Sequence, residues 1–169
     1  MTHDVRIAQA ETPEQVDDAR TLFGEYATDL GWDLSSGRLA GEMASLPGPY
    51  SPPEGALLVA YVDGTPAGAL GLQCVPPETR IEGVDVETSG ELKRLFVHPD
   101  FRRAGVGRAI MQAAEAAARA RGYTQLLLTT NADMMPLAQG LYDSLGYVET
   151  VPYRNDMPWP AIRWMRKEL

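Results

Sequence analysis

The spacing of hydrophobic and polar positions predicts the elements of the N-terminal third. Alternation over residues 5–8 predicts a short strand. Thr12 and Pro13 form an N-cap and first turn, and apolar positions recur every three or four residues from Val16 to Leu30, which predicts an amphipathic helix ending at Gly31. The pattern weakens over 32–55, which we interpret as a short helix followed by a proline-rich connecting lid.

Strand patterns dominate the middle of the chain. Apolar runs over 56–62 and 67–75 flank an Asp-Gly turn and predict an antiparallel hairpin. A polar loop over 76–87 then leads to a third run over 91–97, which predicts another strand.

The second half alternates between helix and strand patterns. An alanine-rich helix is predicted from Gly105 to about Arg121, a strand over 124–130, and a short helix over 137–145. Two further strands, over 147–151 and 161–165, enclose a loop and predict a final hairpin. Since no repeat or linker interrupts this order, we expect residues 1–169 to form one α/β domain.

Charge is distributed unevenly. The 169 residues include 15 lysines and arginines against 23 acidic residues, giving a net charge of −8, which argues against a nucleic-acid partner. Residues 1–90 carry 4 basic and 15 acidic side chains, and residues 91–169 carry 11 and 8. This asymmetry favours an anionic ligand on the C-terminal half and, secondarily, a cationic substrate near the acidic half, with a plain solvated surface as the alternative.

Composition also indicates the compartment. Cys74 is the only cysteine, so no internal disulfide can form, and the chain starts without the pattern of a signal peptide. No apolar run reaches membrane-spanning length. Because the two histidines, His3 and His98, are far apart, no metal site is expected. The prediction is a soluble cytoplasmic protein with no membrane partner.

The most specific sequence lies between the strand over 91–97 and the alanine-rich helix. Here Arg102, Gly105 and Gly107 make an Arg-x-x-Gly-x-Gly turn at a helix N-terminus, where free backbone N–H groups and the helix dipole attract anions. The glycine spacing excludes a P-loop, and Ile110 stands where a dinucleotide fingerprint needs its third glycine.

This turn closely resembles the acetyl-CoA-binding motif of the GNAT acyltransferase superfamily. Residues 136–147 resemble a second motif of that family, Ala-x-x-Leu-Tyr-x-x-x-Gly-Phe/Tyr, carried here by Ala138, Leu141, Tyr142, Gly146 and Tyr147. The resemblance covers essentially the whole chain. It departs at 135, where methionine replaces the asparagine of many relatives and removes a side-chain contact to coenzyme A.

The resemblance implies a three-layer α/β fold. We expect a mixed, mostly antiparallel sheet of six or seven strands with helices on both faces, splayed between the strands that begin near Glu91 and Thr124. Acetyl-CoA is the implied cosubstrate, and a homodimer is compatible with the resemblance. The implied cofactor-binding residues are Leu95, Phe96, Val97, Arg102, Arg103, Ala104, Gly105, Val106, Gly107 and Arg108.

The resemblance also implies direct attack of an amine on the thioester. Tyr142 is the candidate general acid, with a buried structural tyrosine as the alternative. Glu91 is the candidate general base, directly or through water; we expect Glu91, Lys93, Leu95 and Val97 to share one strand face, and a Glu91–Lys93 surface pair is the alternative. Cys74 is expected to be an inert core residue and His98 a turn residue.

The acceptor site is expected between the segments 32–50 and 153–159. Trp32 and Tyr153 are the candidate substrate-binding residues. Further aromatic and acidic candidates for this site are Tyr50, Trp159, Asp29, Asp33, Glu42 and Asp156.

The sequence thus predicts transfer of an acetyl group to a primary amine of a small molecule or peptide. A non-catalytic acyl-CoA-binding sensor and a transferase for longer acyl groups stay open as alternatives.

Overall fold

The computed structural model describes residues 3–154 and 161–169. Seven strands form one sheet in the order β1-β2-β3-β4-β5-β7-β6, in which only β4 and β5 run parallel. In chain order the elements are β1 (Val5–Gln9), α1 (Pro13–Asp29), α2 (Gly37–Ser45), β2 (Ala56–Val62), β3 (Thr65–Cys74), β4 (Ser89–Val97), α3 (Val106–Ala120), β5 (Gln125–Asn131), α4 (Pro136–Ser144), β6 (Val148–Glu149) and β7 (Ile162–Glu168).

Local sequence explains where α1 begins and ends. The Thr12 side chain accepts a hydrogen bond from the Gln15 amide, and the Gln15 side chain accepts one from the Thr12 amide, which together form a capping box. Gly31 follows the helix with a positive φ of 68°. The predicted helix is confirmed at both ends.

Helices cover both faces of the sheet. Helices α1 and α2 enclose an apolar cluster that includes Phe23, Leu57 and Phe96. Helix α3 covers a larger cluster on the opposite face, to which Ile110 contributes. The predicted three-layer fold is confirmed.

The sheet splays between its two parallel strands. Pairing between β4 and β5 runs from Ser89 opposite Gln125 to Leu92 opposite Leu128, and the last five residues of β4 have no partner in β5. Strand β5 continues to pair with β7 as far as Asn131. The two strands therefore separate after Leu92, as predicted, and the β5-facing backbone of residues 93–97 lacks a sheet partner.

A bulge at Arg94 overturns one prediction. Arg94 has a φ of +61°, and the register against β3 shifts between the pairs Gly71–Lys93 and Ala69–Phe96. The extra residue reverses the alternation, so Leu95 and Val97 pack against the α3 side of the sheet. The expectation that they share a face with Glu91 and Lys93 was wrong, because alternation assumes an uninterrupted strand.

Two smaller expectations also need correction. The predicted strand over 147–151 is reduced to Val148–Glu149, although it does pair with β7 as a hairpin. Cys74 is exposed at the end of β3 and is not a core residue. Among residues 3–154 and 161–169, no helix is long and apolar enough to cross a membrane.

Candidate active site

A cavity of about 620 Å³ lies in the split between β4 and β5. It is enclosed by the end of α1, the unpaired part of β4, the turn before α3 and the beginnings of α3 and α4. The lining residues are Tyr26, Asp29, Leu30, Leu95, Phe96, Val97, Arg102, Arg103, Gly105, Gly107, Arg108, Met134, Met135, Pro136, Leu137, Ala138 and Leu141.

The turn before α3 presents backbone to this cavity. Arg103 and Gly105 both have positive φ, 66° and 80°, and Gly105 is the N-cap of α3. The first N–H groups of a helix have no intrahelical acceptor and carry partial positive charge. A Cβ on Gly107 would lie 3.1 Å from Leu141 Cδ2, so glycine also allows α3 to approach α4 closely.

Three arginines line the cavity beside these amides. Arg102 Nε donates to the Val97 carbonyl at 3.0 Å, and its Nη2 lies 3.3 Å from Asp29 Oδ2. Arg108 Nη2 donates to Ser144 Oγ at 2.7 Å. Arg103 lines the same wall. Cations and free amides at one end of the cavity form an environment suited to phosphate oxygens.

The residues present fit coenzyme A. The cationic turn suits its phosphates, and the open β5-facing backbone of β4 beyond Leu92 can pair with an extended amide-bearing arm as a strand would. Of the predicted cofactor-binding residues, eight line the cavity. Ala104 and Val106 do not: Ala104 is exposed in the turn and Val106 is buried in the core, so only their backbone amides are available to a ligand.

Glu91 is completely buried at the start of β4. Its Oε2 accepts hydrogen bonds from Gln73 Nε2 at 2.9 Å and from Arg154 Nη2. Its Oε1 lies 3.3 Å from the Tyr153 hydroxyl and 4.0 Å from Lys93 Nζ. The alternative of a pair between Glu91 and Lys93 is present as an ion pair at 4.0 Å, but its expected surface location is wrong, because Glu91 is shielded from water.

Lys93 lies among four charged groups on the α1 and α2 face. Burial, which leaves 12% of its side chain exposed, lowers its pKa to about 8 despite the opposing charge of Glu91. Arg154, Arg94 and Glu42 are its other electrostatic neighbours. Near neutral pH the ammonium is therefore mostly charged but poorly hydrated.

Arg94 and Glu42 form an ion pair held by two hydrogen bonds. Arg94 donates to Glu42 from Nε at 3.1 Å and from Nη2 at 2.9 Å, and Tyr50 donates its hydroxyl to the same carboxylate. Burial raises the pKa of Glu42, but hydrogen bonds and charge from Arg94 outweigh it and leave the pKa lowered. Glu42 was expected to attract an amine; it is instead neutralised by Arg94.

The aromatic candidates lie around these ion pairs. The Trp32 ring lies 5.5 Å from the Arg94 guanidinium and packs edge-to-face on Tyr26, which lines the cavity. Tyr153 packs on Trp164 beside Glu91, and burial raises its pKa well above the ordinary value. Tyr50 is buried in the core and does not line the cavity.

Tyr142 lies in the core beneath the cavity. Its ring packs against Tyr147 at 6.0 Å between centroids, and burial raises its pKa above the ordinary value of a phenol. Tyr142 does not line the cavity, but Tyr26, which does line it, is an electrostatic neighbour that also raises the pKa of Tyr142.

The remaining candidates are dispersed. Asp29 lines the cavity, Asp33 is exposed in the loop after α1, and Asp156 and Trp159 fall outside the described residues. Met135 lines the cavity at the start of α4 without capping it by a side-chain hydrogen bond. His98 caps a short turn, as predicted.

Four residues around the site were not predicted as site residues from the sequence. They are Tyr26, Gln73, Arg94 and Arg154. The helical spacing of Tyr26 indicated only a core position, and the partners of Gln73 and Arg94 depend on strand register. Arg154 follows Tyr153 in a loop, where no periodicity indicates the direction in which a side chain points.

Comparison with known proteins points to one family. Residues 53–149 match the family model of the acetyltransferase (GNAT) domain. A protein of Schizosaccharomyces pombe named as an uncharacterized N-acetyltransferase is 30% identical over 167 residues, which cover 98% of this chain and 96% of that protein.

Two solved structures have the same fold. An acetyltransferase from Streptococcus agalactiae superposes with a TM-score of 0.72 at 18% identity and covers 98% of both chains. A putative acetyltransferase from Salmonella typhimurium, solved with acetyl-CoA, gives a TM-score of 0.68 at 16% identity and covers 97% of this chain and 93% of its own.

Proposed function

Because the chain belongs to the GNAT acetyltransferase family, we propose that it transfers an acetyl group from acetyl-CoA to a primary amine of a small molecule or peptide. The observation that carries the proposal is the cavity in the β4–β5 split, where a cationic, amide-rich turn meets unpaired strand backbone. A cytoplasmic location and the absence of membrane and nucleic-acid partners stay predictions from composition.

Acetyl-CoA would supply an activated acetyl group and a thiolate leaving group. In the proposed arrangement Arg102, Arg103 and Arg108 and the amides of residues 103–108 hold its phosphates. The backbone of Leu95, Phe96 and Val97 holds its amide-bearing arm. With acetyl-CoA held in this way, the acceptor in the proposed arrangement approaches from the α1 and α2 side of β4, where Glu91 lies.

Glu91 is the proposed acceptor of the amine proton. An amine attacks only as the free base, and the attack requires the loss of one proton as the new carbon–nitrogen bond forms and the carbon–sulfur bond breaks. Oε2 is already bound by Gln73 and Arg154, so Oε1, beside Tyr153 and Lys93, is the oxygen left to take this proton, directly or through a water.

Tyr142 is the proposed donor of the proton that the departing sulfur takes up. Its raised pKa keeps the hydroxyl protonated throughout the neutral range, which a donor requires. Tyr142 does not line the cavity, so in this role its hydroxyl must reach the sulfur from outside the cavity wall.

Two observations favour a second candidate function, an acyl-CoA sensor without turnover. Glu91 is bound by Gln73 and Arg154 and shielded from water, and Tyr142 does not line the cavity. Both functions use the same cavity for acetyl-CoA, so binding alone does not separate them.

Turnover separates the two candidates. The assay is thiol release from acetyl-CoA with a panel of amines and peptides, with acetylated product identified by mass spectrometry. Acceptor-dependent release with a matching product supports the transferase. Binding of acetyl-CoA without release on any acceptor supports the sensor.

A further inference from the structure

The charges beside the proposed reaction site are unbalanced. On the α1 and α2 face of β4, the described residues include three cations, Lys93, Arg94 and Arg154, against two carboxylates, Glu42 and Glu91. Arg94 is bound through two of its nitrogens to Glu42 and is not available. Lys93 and Arg154 are left to share Glu91, so these five described residues together carry one positive charge in excess.

The two remaining cations keep unused donors. Arg154 holds Glu91 through Nη2, while its Nε is buried and has no hydrogen-bond partner among the residues that the structure describes, although only 9% of the side chain is exposed. Lys93 Nζ comes no closer than 4.0 Å to Glu91 Oε1, which is beyond hydrogen-bonding distance. A buried donor such as Arg154 Nε is normally satisfied by a partner, whereas the Lys93 side chain is 12% exposed.

These donors lie close to the point where pairing between β4 and β5 ends. The last β4–β5 pair is Leu92 with Leu128, so Lys93 is the first residue of β4 beyond it. Leu95 to Val97, further along the same strand, line the cavity. Lys93, Arg154 and Glu91 do not themselves line the cavity, so an acceptor meets them only where it extends past Leu95 towards the last β4–β5 pair.

Two of the acidic residues that were expected to attract an amine are already engaged. Glu42 is bound to Arg94, and Asp29 faces Arg102 in the cavity wall. A substrate with two or more positive charges would meet an excess of cations on this face. A zwitterion with one carboxylate would instead match the single positive charge.

We propose that the acceptor is an amino carboxylate, whose carboxylate accepts hydrogen bonds from Lys93 Nζ and Arg154 Nε while its amine faces Glu91. The inference rests on the proposed acetyl transfer and specifies its substrate class. A carboxylate fits better than a phosphate, because a doubly charged group would exceed the one positive charge available.

The test compares acceptors that differ in one group. Leucine, phenylalanine and β-alanine are each assayed beside the carboxamide and the decarboxylated amine of the same skeleton. Two readouts are used: kcat/KM by thiol release, and calorimetric affinity for the protein saturated with coenzyme A. An amine bearing a phosphonate in place of the carboxylate completes the panel.

We expect at least one amino carboxylate to exceed both of its neutral analogues tenfold or more in kcat/KM or in affinity. Lys93→Gln should remove this preference mainly through KM, and Lys93→Arg should restore part of it. Arg119→Gln, which removes a charge from the exposed side of α3, is the matched control and should leave the preference unchanged. Affinity for acetyl-CoA should be unaffected in all three variants.

Equal values for the carboxylate, the amide and the amine would overturn the inference while leaving acetyl transfer intact. A preference for the phosphonate would overturn the choice of carboxylate. If no acceptor is turned over, the affinities still decide: carboxylate-dependent binding supports the site, and its absence in the whole panel contradicts it.

Discussion

Asp29 at the end of α1 contacts Arg102 in the wall of the cavity, with 3.3 Å between Oδ2 and Nη2. The same guanidinium donates from Nε to the Val97 carbonyl of β4. Both side chains are about half exposed, at 49% and 40%, so this pair adds little to stability. The pair instead affects the binding of anions, because Asp29 competes with any anion that Arg102 would hold.

Asp29→Asn should therefore tighten the binding of acetyl-CoA. Removing a negative charge beside the phosphate site frees Arg102 and reduces repulsion, for which we expect a gain of about two- to fivefold in affinity, roughly 0.4–1 kcal/mol. Calorimetric titration at low and high salt measures it. The gain should shrink at high salt, and a loss of affinity would show that Asp29 helps to position Arg102 instead.

Arg102→Ala should weaken acetyl-CoA binding more than it slows turnover. A charge-assisted hydrogen bond to phosphate contributes about 1.5–3 kcal/mol, so the KM for acetyl-CoA should rise by roughly 10- to 100-fold. Steady-state kinetics with varied acetyl-CoA give the value, with Arg119→Gln as a charge-matched control. An unchanged KM would remove Arg102 from the phosphate site.

Glu91→Gln should reduce turnover by about 10²- to 10⁴-fold, the usual contribution of a general base. The loss should be largest below the pKa of the acceptor amine, where most of it is protonated. Because Glu91 is buried under Arg154, thermal unfolding must be measured in parallel. Gln73→Ala removes one hydrogen bond to Glu91 but keeps the carboxylate, and should retain most of the activity. A loss that is uniform across pH would contradict the role of Glu91 as base.

Tyr142→Phe should lower kcat while leaving the affinity for acetyl-CoA unchanged. The substitution removes only the hydroxyl and keeps the ring packed against Tyr147. Tyr147→Phe is the matched control, since that hydroxyl bonds Glu115 away from the cavity. We expect a decrease of about 10²-fold or more for Tyr142→Phe and a small change for the control. Full activity in Tyr142→Phe would leave this tyrosine a purely structural role.

Lys93→Met should stabilise the protein near neutral pH. Burial holds the pKa of Lys93 at about 8 in the folded state, below its ordinary value of 10.5. Between these two values the unfolded chain binds the proton and the folded protein does not, so stability of the wild type rises with pH. The free energy of unfolding should therefore favour the variant by about 1–3 kcal/mol below pH 8.

The advantage of Lys93→Met should fall as the pH rises from 8 towards 10.5. Urea unfolding at pH 7 and pH 10 measures the difference between the two proteins. An advantage that is equal at both pH values would mean that Lys93 titrates normally in the folded protein.

The parts of the site that were predictable depend on short-range sequence. The end of β4–β5 pairing was implied by the family resemblance, whereas the Arg102 to Gly107 turn and the start of α1 follow from glycine positions, capping residues and a motif carried by adjacent residues. Such features need no knowledge of the remaining chain, which is why residue spacing was sufficient to place them.

The parts that were not predictable depend on register and on loops. The bulge at Arg94 exists because β3 and β4 pair with a shift of one residue, and no single-strand pattern contains that information. The ion pairs of Glu91 with Arg154 and of Glu42 with Arg94 join residues 63 and 52 positions apart. Cys74 was misplaced for a related reason, because an apolar run does not show where its last residue leaves the core.

The central claim is that the β4–β5 split binds acetyl-CoA at the Arg102 to Gly107 turn. Calorimetric titration of the wild type and of Arg102→Ala with acetyl-CoA, coenzyme A and ATP tests it most directly. We predict one site per chain for acetyl-CoA and coenzyme A, much weaker binding of ATP, and a loss of about tenfold or more in the variant. Absence of acetyl-CoA binding, or equal affinity in the two proteins, would contradict the account.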